Sequence, residues 1–443
     1  MTAKPWSFYQ DLIATDTRIP PEDIREPIDS DLGLADSPRS LYTSPEIHNL
    51  EMARLWPRIW QFACREEQIA EPGDIHVYEV GDYSILVVRT DEGIKAYYNS
   101  CTHRATKLCS SDTHLQQLRC PFHGFTWDLH GTLTSMPCRW DFPQITDDSH
   151  NLDEVKVGLW GGFVFINFDP DANPLEDYLD VLPDHLAERR FEDMYIVGNY
   201  RKILPSNWKA SIEAFLESMH VTETHWQTMT FSDDVNTQYD LYGENISRFL
   251  TAIGVANSAM EDKPSEQQVL DALFAETVRP PMDAPKLPEG MSARAFAVAG
   301  MREQLGEAVS NLSDAELIDA MQYSVFPNMV LFRSIGFPAV YRFLPNGNDP
   351  DTSIFDMLIL QHVPPGQDRP EPAERVDLGD RPFADVVELP DWLRLIYDQD
   401  VGNLALQQKG FKASGRTGVT LSRYHESRIR HYHQTLQSYL ERP

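Results

Sequence analysis

Apolar and polar residues alternate from Gly73 onward: DIHVYEVGDYSILVVRTDEGIKAYYN is rich in β-branched and aromatic positions and is punctuated by GD and DEG. A period of two between turn signals predicts a series of short strands, and this series delivers Cys101 onto a loop. Beyond His123, FTWDLHGTL reads as a hairpin turning near His130 and Gly131, and VGLWGGFVFINFD as another strand pair. The whole stretch from about residue 60 to 170 is therefore expected to be β-rich. Before it, residues 1–57 are interrupted by prolines and end in EIHNLEMARLWPRIW, where Ile47, Leu50, Met52, Leu55 and Trp56 fit a helical face only loosely. After it, Pro170, Pro174 and Pro183 among acidic residues mark a linker or connecting helix.

A second regime starts near Tyr195. NWKASIEAFLESMH has the period of a helix, LFRSIGFPAVYRFLP and TSIFDMLILQHV read as strands, and 390–411 and 418–440 as C-terminal helices. Between them, 255–322 contains PSEQQVLDALFAET and the capping-box pattern SDAE, Ser313 to Glu316, opening ELIDAMQY. That segment is either a helical cap over a pocket or a peripheral insertion. The expected division is an N-terminal helical arm at 1–57, a β domain at 58–165, a linker at 166–194 and a larger domain at 195–443.

Composition narrows the partners. The chain has 443 residues, 42% hydrophobic and 11% aromatic, enough to bury a large core in more than one domain. Thirty-eight basic residues against 68 acidic ones leave a formal charge of −30, which argues against a phosphate backbone or an anionic bilayer as partner. A basic electron-transfer partner suits such a surface, although solubility alone also accounts for it. MTAKPWSFYQDLIATD has no apolar run of signal-peptide length, and no segment approaches about 18 uninterrupted apolar residues, so a soluble cytoplasmic protein is expected. Cys64, Cys101, Cys109, Cys120 and Cys138 are too few for a disulfide scaffold in a chain this long. Neither GxGxxG nor GxxxxGK[ST] occurs, so no nucleotide site is visible.

Two constellations carry chemistry. Cys101-x-His103, sixteen intervening residues, then Cys120-x-x-His123 offers two thiolates and two imidazoles from two loops. Two His replacing two Cys on one iron is the ligand set of a Rieske [2Fe-2S] centre. Zinc accepts the same inventory, but zinc fingers place two Cys together and two His together; unligated core residues are a further alternative. In SNWKASIEAFLESMHVTETHWQ, Glu213, Glu217 and His220 fall at i, i+4 and i+7 on one helical face. His225 would point elsewhere unless the helix breaks in VTET. Read from spacing alone, this is either a solvated polar face or a metal site.

With NSCTHRA and RCPFHGFTWDLHGTL flanking the first constellation, the chain resembles the Rieske non-haem iron oxygenases, the alpha subunits or terminal oxygenase components of ring-hydroxylating systems. The resemblance implies that Cys101 and Cys120 bind one iron of the cluster and His103 and His123 the other. Respiratory Rieske proteins carry an extra disulfide-forming Cys in each loop; Thr106 and Phe122 hold those places, and Phe125 stands where a hydroxyl donor to sulfur often follows, which implies a lower-potential centre.

NWK…EAFLESMHVTETH, Asn207 to His225, is similar to the family's motif of the form NWK…ENFLE/D-x-x-H-x₄-H, with Ala214 where Asn is frequent. It implies His220 and His225 as two ligands of a mononuclear Fe(II), completed to a 2-His-1-carboxylate triad by an Asp in a pattern like EDxxxxxxxQxGL. DQDVGNLALQQKGF puts Asp400 at that place with Gln408 and Gly410 in step, and Asp398 competes from two residues earlier. Glu217 is implied as the acid bridging an iron-ligating His to a Rieske His of a neighbouring subunit; many ring dioxygenases have Asp there, whereas Glu is familiar among monooxygenases of quaternary ammonium compounds.

The family fold implied is α+β: a Rieske β domain followed by a helix-grip domain, an antiparallel sheet around a long C-terminal helix. The implied activity is hydroxylation of an aromatic or similarly apolar compound with O₂. Electrons come from NAD(P)H through a separate reductase or ferredoxin, and a head-to-tail homotrimer, with or without a small β subunit, brings cluster and iron together. O- or N-demethylation of a methoxyarene or a quaternary ammonium compound is the alternative, and an electron carrier without a catalytic iron the remaining one. Phe215, Leu216, Met219, Trp226 and the residues from Ile335 to Tyr341 are candidates to line the pocket.

Overall fold

The alternating segment folds as its period dictates. In the computed structural model, which describes residues 4–146, 148–277, 284–364 and 366–442, Asp74–Val80, Tyr83–Thr90 and Gly93–Tyr98 form a meander. They belong to a seven-stranded antiparallel sheet in the order Gln61–Arg65, Phe163–Asn167, Glu154–Trp160, Gly93–Tyr98, Tyr83–Thr90, Asp74–Val80, Thr113–His114. The turn between Trp160 and Phe163 is Gly161-Gly162 with φ of 56° and 76°, a two-residue connection only residues tolerant of positive φ make without strain. A smaller three-stranded sheet, Leu118–Arg119, Thr126–Trp127 and Leu133–Ser135, carries the second Cys/His loop.

The second region builds an eight-stranded sheet ordered Ser232–Tyr242, Ile246–Ile253, Ala320–Val325, Met329–Phe332, Ala339–Asn346, Asp349–His362, Met194–Leu204, Val376–Gly379. All neighbours are antiparallel except the last pair. The expected single strand LFRSIGFPAVYRFLP is two strands, because residues 333–338 form the connection between Phe332 and Ala339. The helix Asp391–Ala413 lies against this sheet's Met194–Leu204 and against Trp208–Glu213. A final helix, Ser427–Glu441, packs on Ser232–Tyr242 and on the N-terminal helix Pro45–Arg54, which Ser44 caps by accepting from Ile47 N.

One hydrophobic core runs through both sheets, from Leu55, Phe62 and Phe163 to Tyr341, Phe355 and Tyr432. Polar contacts also cross the junction: Asn328 Oδ1 accepts from Phe62 N at 3.1 Å while its Nδ2 donates to Phe62 O at 3.3 Å. The segment after residue 255 folds into helices Glu266–Thr277, Ala293–Leu305 and Asp314–Ile318, the last opened by the expected Ser313/Glu316 capping box. Glu266–Thr277 packs against Asp391–Ala413. Ala320–Val325, assigned to that segment by sequence, is instead an interior strand of the sheet. Among the described residues, no helix is long and apolar enough to cross a membrane.

Candidate cluster site and metal centre

The two Cys/His loops are near copies of each other. In one, Cys101 N donates to Thr106 O and Ala105 N to Cys101 O; in the other, Cys120 N donates to Phe125 O and Gly124 N to Cys120 O. Each turn needs a left-handed residue four positions after its Cys, supplied by Ala105 (φ 57°) and Gly124 (φ 76°). At Ala105 that conformation costs about 1 kcal/mol, a strain the paired loops hold in place. The His103 and His123 rings meet edge to face at 4.7 Å, and His103 lies flat on Phe125 at 4.8 Å and 7°. Trp127 Nε1 and Thr102 Oγ1 both donate to His150 O, fixing the loops from behind.

The donor chemistry fits a cluster. Cys101 and Cys120 are buried and their thiols are in hydrogen-bond contact with each other. Burial pushes the Cys101 thiol up; at Cys120 burial is outweighed by the backbone N–H groups of His123 and Phe122, which draw that thiol below its ordinary value. His103 Nδ1 is buried with no hydrogen-bond partner, an arrangement costly in a finished protein interior and relieved by a bond to metal. Thr106, in the place of the second loop cysteine of respiratory proteins, hydrogen-bonds the Cys120 thiol.

The second constellation departs from the expected helix. Trp208–Glu213 ends where helical continuity through His220 was expected, residues 214–219 are irregular, and VTET, expected to break the helix, is itself the short helix Val221–Thr224. Glu213 consequently faces away from the metal residues: its carboxylate accepts from Tyr42 OH at 2.7 Å and pairs with His433 Nε2 at 2.7 Å. The break is enforced from outside. Tyr239 OH accepts from Ser218 N at 3.1 Å, and the buried guanidinium of Arg428 donates to Leu216 O at 3.2 Å.

His220 and His225 flank Val221–Thr224, their ring centroids 5.1 Å apart and 74° inclined. Asp400, from the helix Asp391–Ala413, sets Oδ1 3.0 Å from His225 Nε2 and 3.8 Å from His220 Nε2. One ligand atom from each of the three lies within 4.8 Å of the others. Burial opposes a charged His220, yet the carboxylates of Glu217 and then Asp400 overcome it and raise its pKa to about 9. The site thus attracts positive charge, which a divalent ion satisfies. Asp398 is not part of it; its carboxylate accepts from Phe383 N and Ala384 N at 2.7 and 2.9 Å.

Sequence reasoning missed the residues that hold these three side chains and the turn between them. Gln399 Oε1 lies 2.8 Å from His225 Nδ1, Asn403 Nδ2 donates to Thr224 Oγ1, and Thr222 Oγ1 donates to the buried Asp234. Gln399 and Asn403, at i and i+4 beside Asp400, could have been found from that spacing; nothing local points to Asp234. Of the pocket candidates, Met219 and Trp226 are 42% and 68% exposed and Leu216 is fully buried in the core. Phe215 is different. It packs on Tyr341, Phe343 and Phe355, and Tyr341 in turn hydrogen-bonds Tyr397 one turn before Asp400.

These donor sets lie within two matched regions. The profile of the ring hydroxylating alpha subunit (catalytic domain) matches residues 184–442, and that of the Rieske [2Fe-2S] domain matches residues 59–146. The chain belongs to the ring-hydroxylating alpha-subunit family. Membership brings a Rieske [2Fe-2S] cluster and a mononuclear iron as prosthetic groups, and both donor sets fit.

Among curated relatives of this alpha subunit, the chlorobenzene dioxygenase alpha subunit of Cupriavidus sp. (strain PS12) is 30% identical over 192 residues, 42% of this chain and 43% of that protein. The glycine betaine monooxygenase oxygenase subunit of Chromohalobacter salexigens is 30% identical over 191 residues, 42% of each chain. The chain thus aligns with less than half the length of these relatives. Solved structures extend the likeness of fold. A quaternary ammonium Rieske monooxygenase in complex with L-carnitine matches with a TM-score of 0.65 at 18% identity, over 92% of this chain and 96% of that one. Naphthalene 1,2-dioxygenase from Rhodococcus sp. bound to indole matches with 0.61 at 20% identity, over 92% and 95%.

Proposed function

We propose that the chain is the terminal oxygenase of a multicomponent system, hydroxylating an aromatic or similarly apolar small molecule. The observation that carries this reading is the convergence of His220, His225 and Asp400 in a chain that also holds the Cys101/His103/Cys120/His123 set. When bound, the cluster supplies single electrons and the Fe(II) supplies a site where O₂ is reduced beside the substrate. His220, His225 and Asp400 would hold the iron as a two-His, one-carboxylate set, the donor type that serves O₂ chemistry beside a substrate. Glu217, 2.6 Å from Nδ1 of His220, would accept from its proton-bearing edge and so orient Nε2 toward the metal position. The rings of Phe215, Tyr341, Phe343 and Phe355 pack into an apolar cluster that reaches the helix of Asp400 through Tyr397, which supports an apolar substrate on that side.

In this reading, His103 or His123 of one copy meets Glu217 of the next in a head-to-tail trimer, with or without a small β subunit. Exposed apolar residues beside each site, Phe122 and Trp140 near the cluster loops and Met219 and Trp226 near the metal ligands, support such an interface. The donor is a reductase or ferredoxin drawing on NAD(P)H. The cytoplasm is the compartment proposed, in keeping with free thiols at all five cysteines. The functional division is arm 1–57, Rieske domain 58–165, linker 166–194 and catalytic domain 195–443, with helices after residue 255 capping the helix of Asp400.

A second reading, demethylation of a quaternary ammonium or methoxyaryl compound, is favoured by Glu in place of Asp at 217. A single turnover of the reduced protein with ¹⁸O₂ over aromatic acids, arenes, aryl methyl ethers and methylammonium compounds separates the two. Two labelled oxygens in the product establish dioxygenation, one in a ring hydroxyl establishes monooxygenation, and released formaldehyde establishes the second reading. If the cluster reoxidises without any product, an iron count of two per chain instead of three overturns both.

A further inference from the structure

The two histidines of the metal centre are supported unequally. His220 Nδ1 faces a carboxylate, Glu217, at 2.6 Å, whereas His225 Nδ1 faces the carboxamide oxygen of Gln399 at 2.8 Å. That oxygen also accepts from Gln227 Nε2 at 2.9 Å, and Gln399 Nε2 in turn points back to Gln227 Oε1 at 3.5 Å. The two amides could turn over together and keep that pairing, so the imidazole decides the orientation. A ring that offers Nε2 to a metal carries its proton on Nδ1 and needs an acceptor there, which the Gln399 oxygen supplies, leaving Nε2 beside Asp400 Oδ1, 3.0 Å away, for the ion.

Charge gives the pairing its second consequence. Asp400 and Glu217 together balance the two charges of Fe(II). A carboxylate at 399 would carry the site one charge further and favour the ferric state, whereas an amide orients the imidazole without doing so. In the pattern that placed Asp400, the position before the Asp is Glu, and this chain has Gln there.

Resting on the metal reading of His220, His225 and Asp400, we propose that Gln399 is a positioning residue of this centre. It fixes the His225 tautomer through an uncharged acceptor and thereby keeps the iron's second coordination layer at a single carboxylate.

The test uses full-length protein with its cluster intact and the mononuclear iron removed, titrated with ferrous ion against a competing chelator. Electron paramagnetic resonance of the nitric oxide adduct is the second readout. Gln399→Leu is expected to weaken Fe(II) binding by about tenfold or more and to alter the adduct spectrum. Gln399→Glu is expected to bind at least as tightly as the parent and to lower the ferric/ferrous potential. Gln227→Leu, which leaves His225 and Gln399 in place, is expected to weaken binding by a smaller factor in the same direction. The cluster's visible spectrum reports folding in every variant.

Parent-like affinity and spectrum in Gln399→Leu overturn the proposal. So does a Gln399→Glu variant as weak as Gln399→Leu, since then the amide's shape and not its acceptor is what counts. If the parent takes up no Fe(II) beyond its cluster, the metal reading itself fails and the proposal falls with it.

Discussion

Glu217 grips His220 twice: Oε1 lies 2.6 Å from its ring Nδ1 and Oε2 accepts from its backbone N–H at 3.1 Å. The carboxylate therefore sets both the tautomer and the placement of that imidazole, from a segment with no helix to stiffen it. Glu217→Gln preserves shape and one acceptor but removes the charge. Cluster and iron content should remain those of the parent, while reoxidation of the reduced cluster by O₂ and substrate, followed by stopped-flow absorbance, should slow at least about tenfold. An unchanged rate would falsify the bridging role and leave Glu217 as a prop for the loop.

Asp398 and Asp400 sit two residues apart and do different work. Asp400 Oδ1 approaches both imidazoles, whereas Asp398 accepts from two consecutive backbone N–H groups at Phe383 and Ala384. Asp400→Ala should lower iron content to that of the cluster alone, with little change in folding. Asp398→Ala should keep the mononuclear iron and cost about 1 kcal/mol of stability, because a half-buried N–H at Phe383 and an exposed one at Ala384 lose a charged acceptor. Iron assay and urea titration of both variants decide the assignment, and the opposite pattern would transfer the ligand role to Asp398.

Local signals made the cluster loops and the strands legible. Alternation, turn glycines and close Cys/His spacing are encoded within a dozen residues, and the antiparallel meander from Asp74 to Tyr98 needs nothing more remote to form. The break after Glu213 was not legible for the opposite reason. Ala214 to Met219 include good helix formers, and what overrides them are hydrogen bonds from Tyr239 and Arg428, one strand and one helix away in space but distant along the chain. Asp400 was found only because Gln408 and Gly410 follow it at a set spacing. Its support by Gln399 depends on the amide oxygen meeting an imidazole 174 positions earlier in the chain.

The N-terminal arm is anchored beneath the catalytic helix by a dry ion pair. Lys209 Nζ lies 2.7 Å from Glu51 Oε1, off the line of a good hydrogen bond, with both side chains fully buried, and Trp208 Nε1 donates to Glu51 Oε2 at 2.9 Å. Removing one partner leaves a buried charge with no counter-ion. Lys209→Met or Glu51→Leu alone should destabilise by about 3–5 kcal/mol, whereas the double replacement should recover most of that loss. Guanidinium unfolding of the three variants measures the coupling. Additive losses would mean that the pair contributes only through packing of its stems.

Asp356 joins the two sheets through arginines. It holds Arg201 in a fork at 2.6 and 2.9 Å and takes two bonds from Arg342, whose guanidinium also donates to Ala63 O in the β domain. Burial opposes the ionised carboxylate, but Arg342 and Arg201 overcome it and hold its pKa well below the usual range. A carboxylate depressed in the folded state contributes stability that is fully present above its unfolded value of about 3.9 and is lost as pH falls through the folded one. Asp356→Asn should therefore cost about 3 kcal/mol at neutral pH, where it leaves the buried Arg342 and the half-buried Arg201 without their counter-ion. The gap from the parent should narrow progressively below about pH 4, as the carboxylate takes up its proton first in the unfolded chain and, at lower pH, in the folded one. Urea midpoints of parent and variant across that range test the linkage: a gap that stays constant down to acid pH would show that Asp356 acts by shape alone.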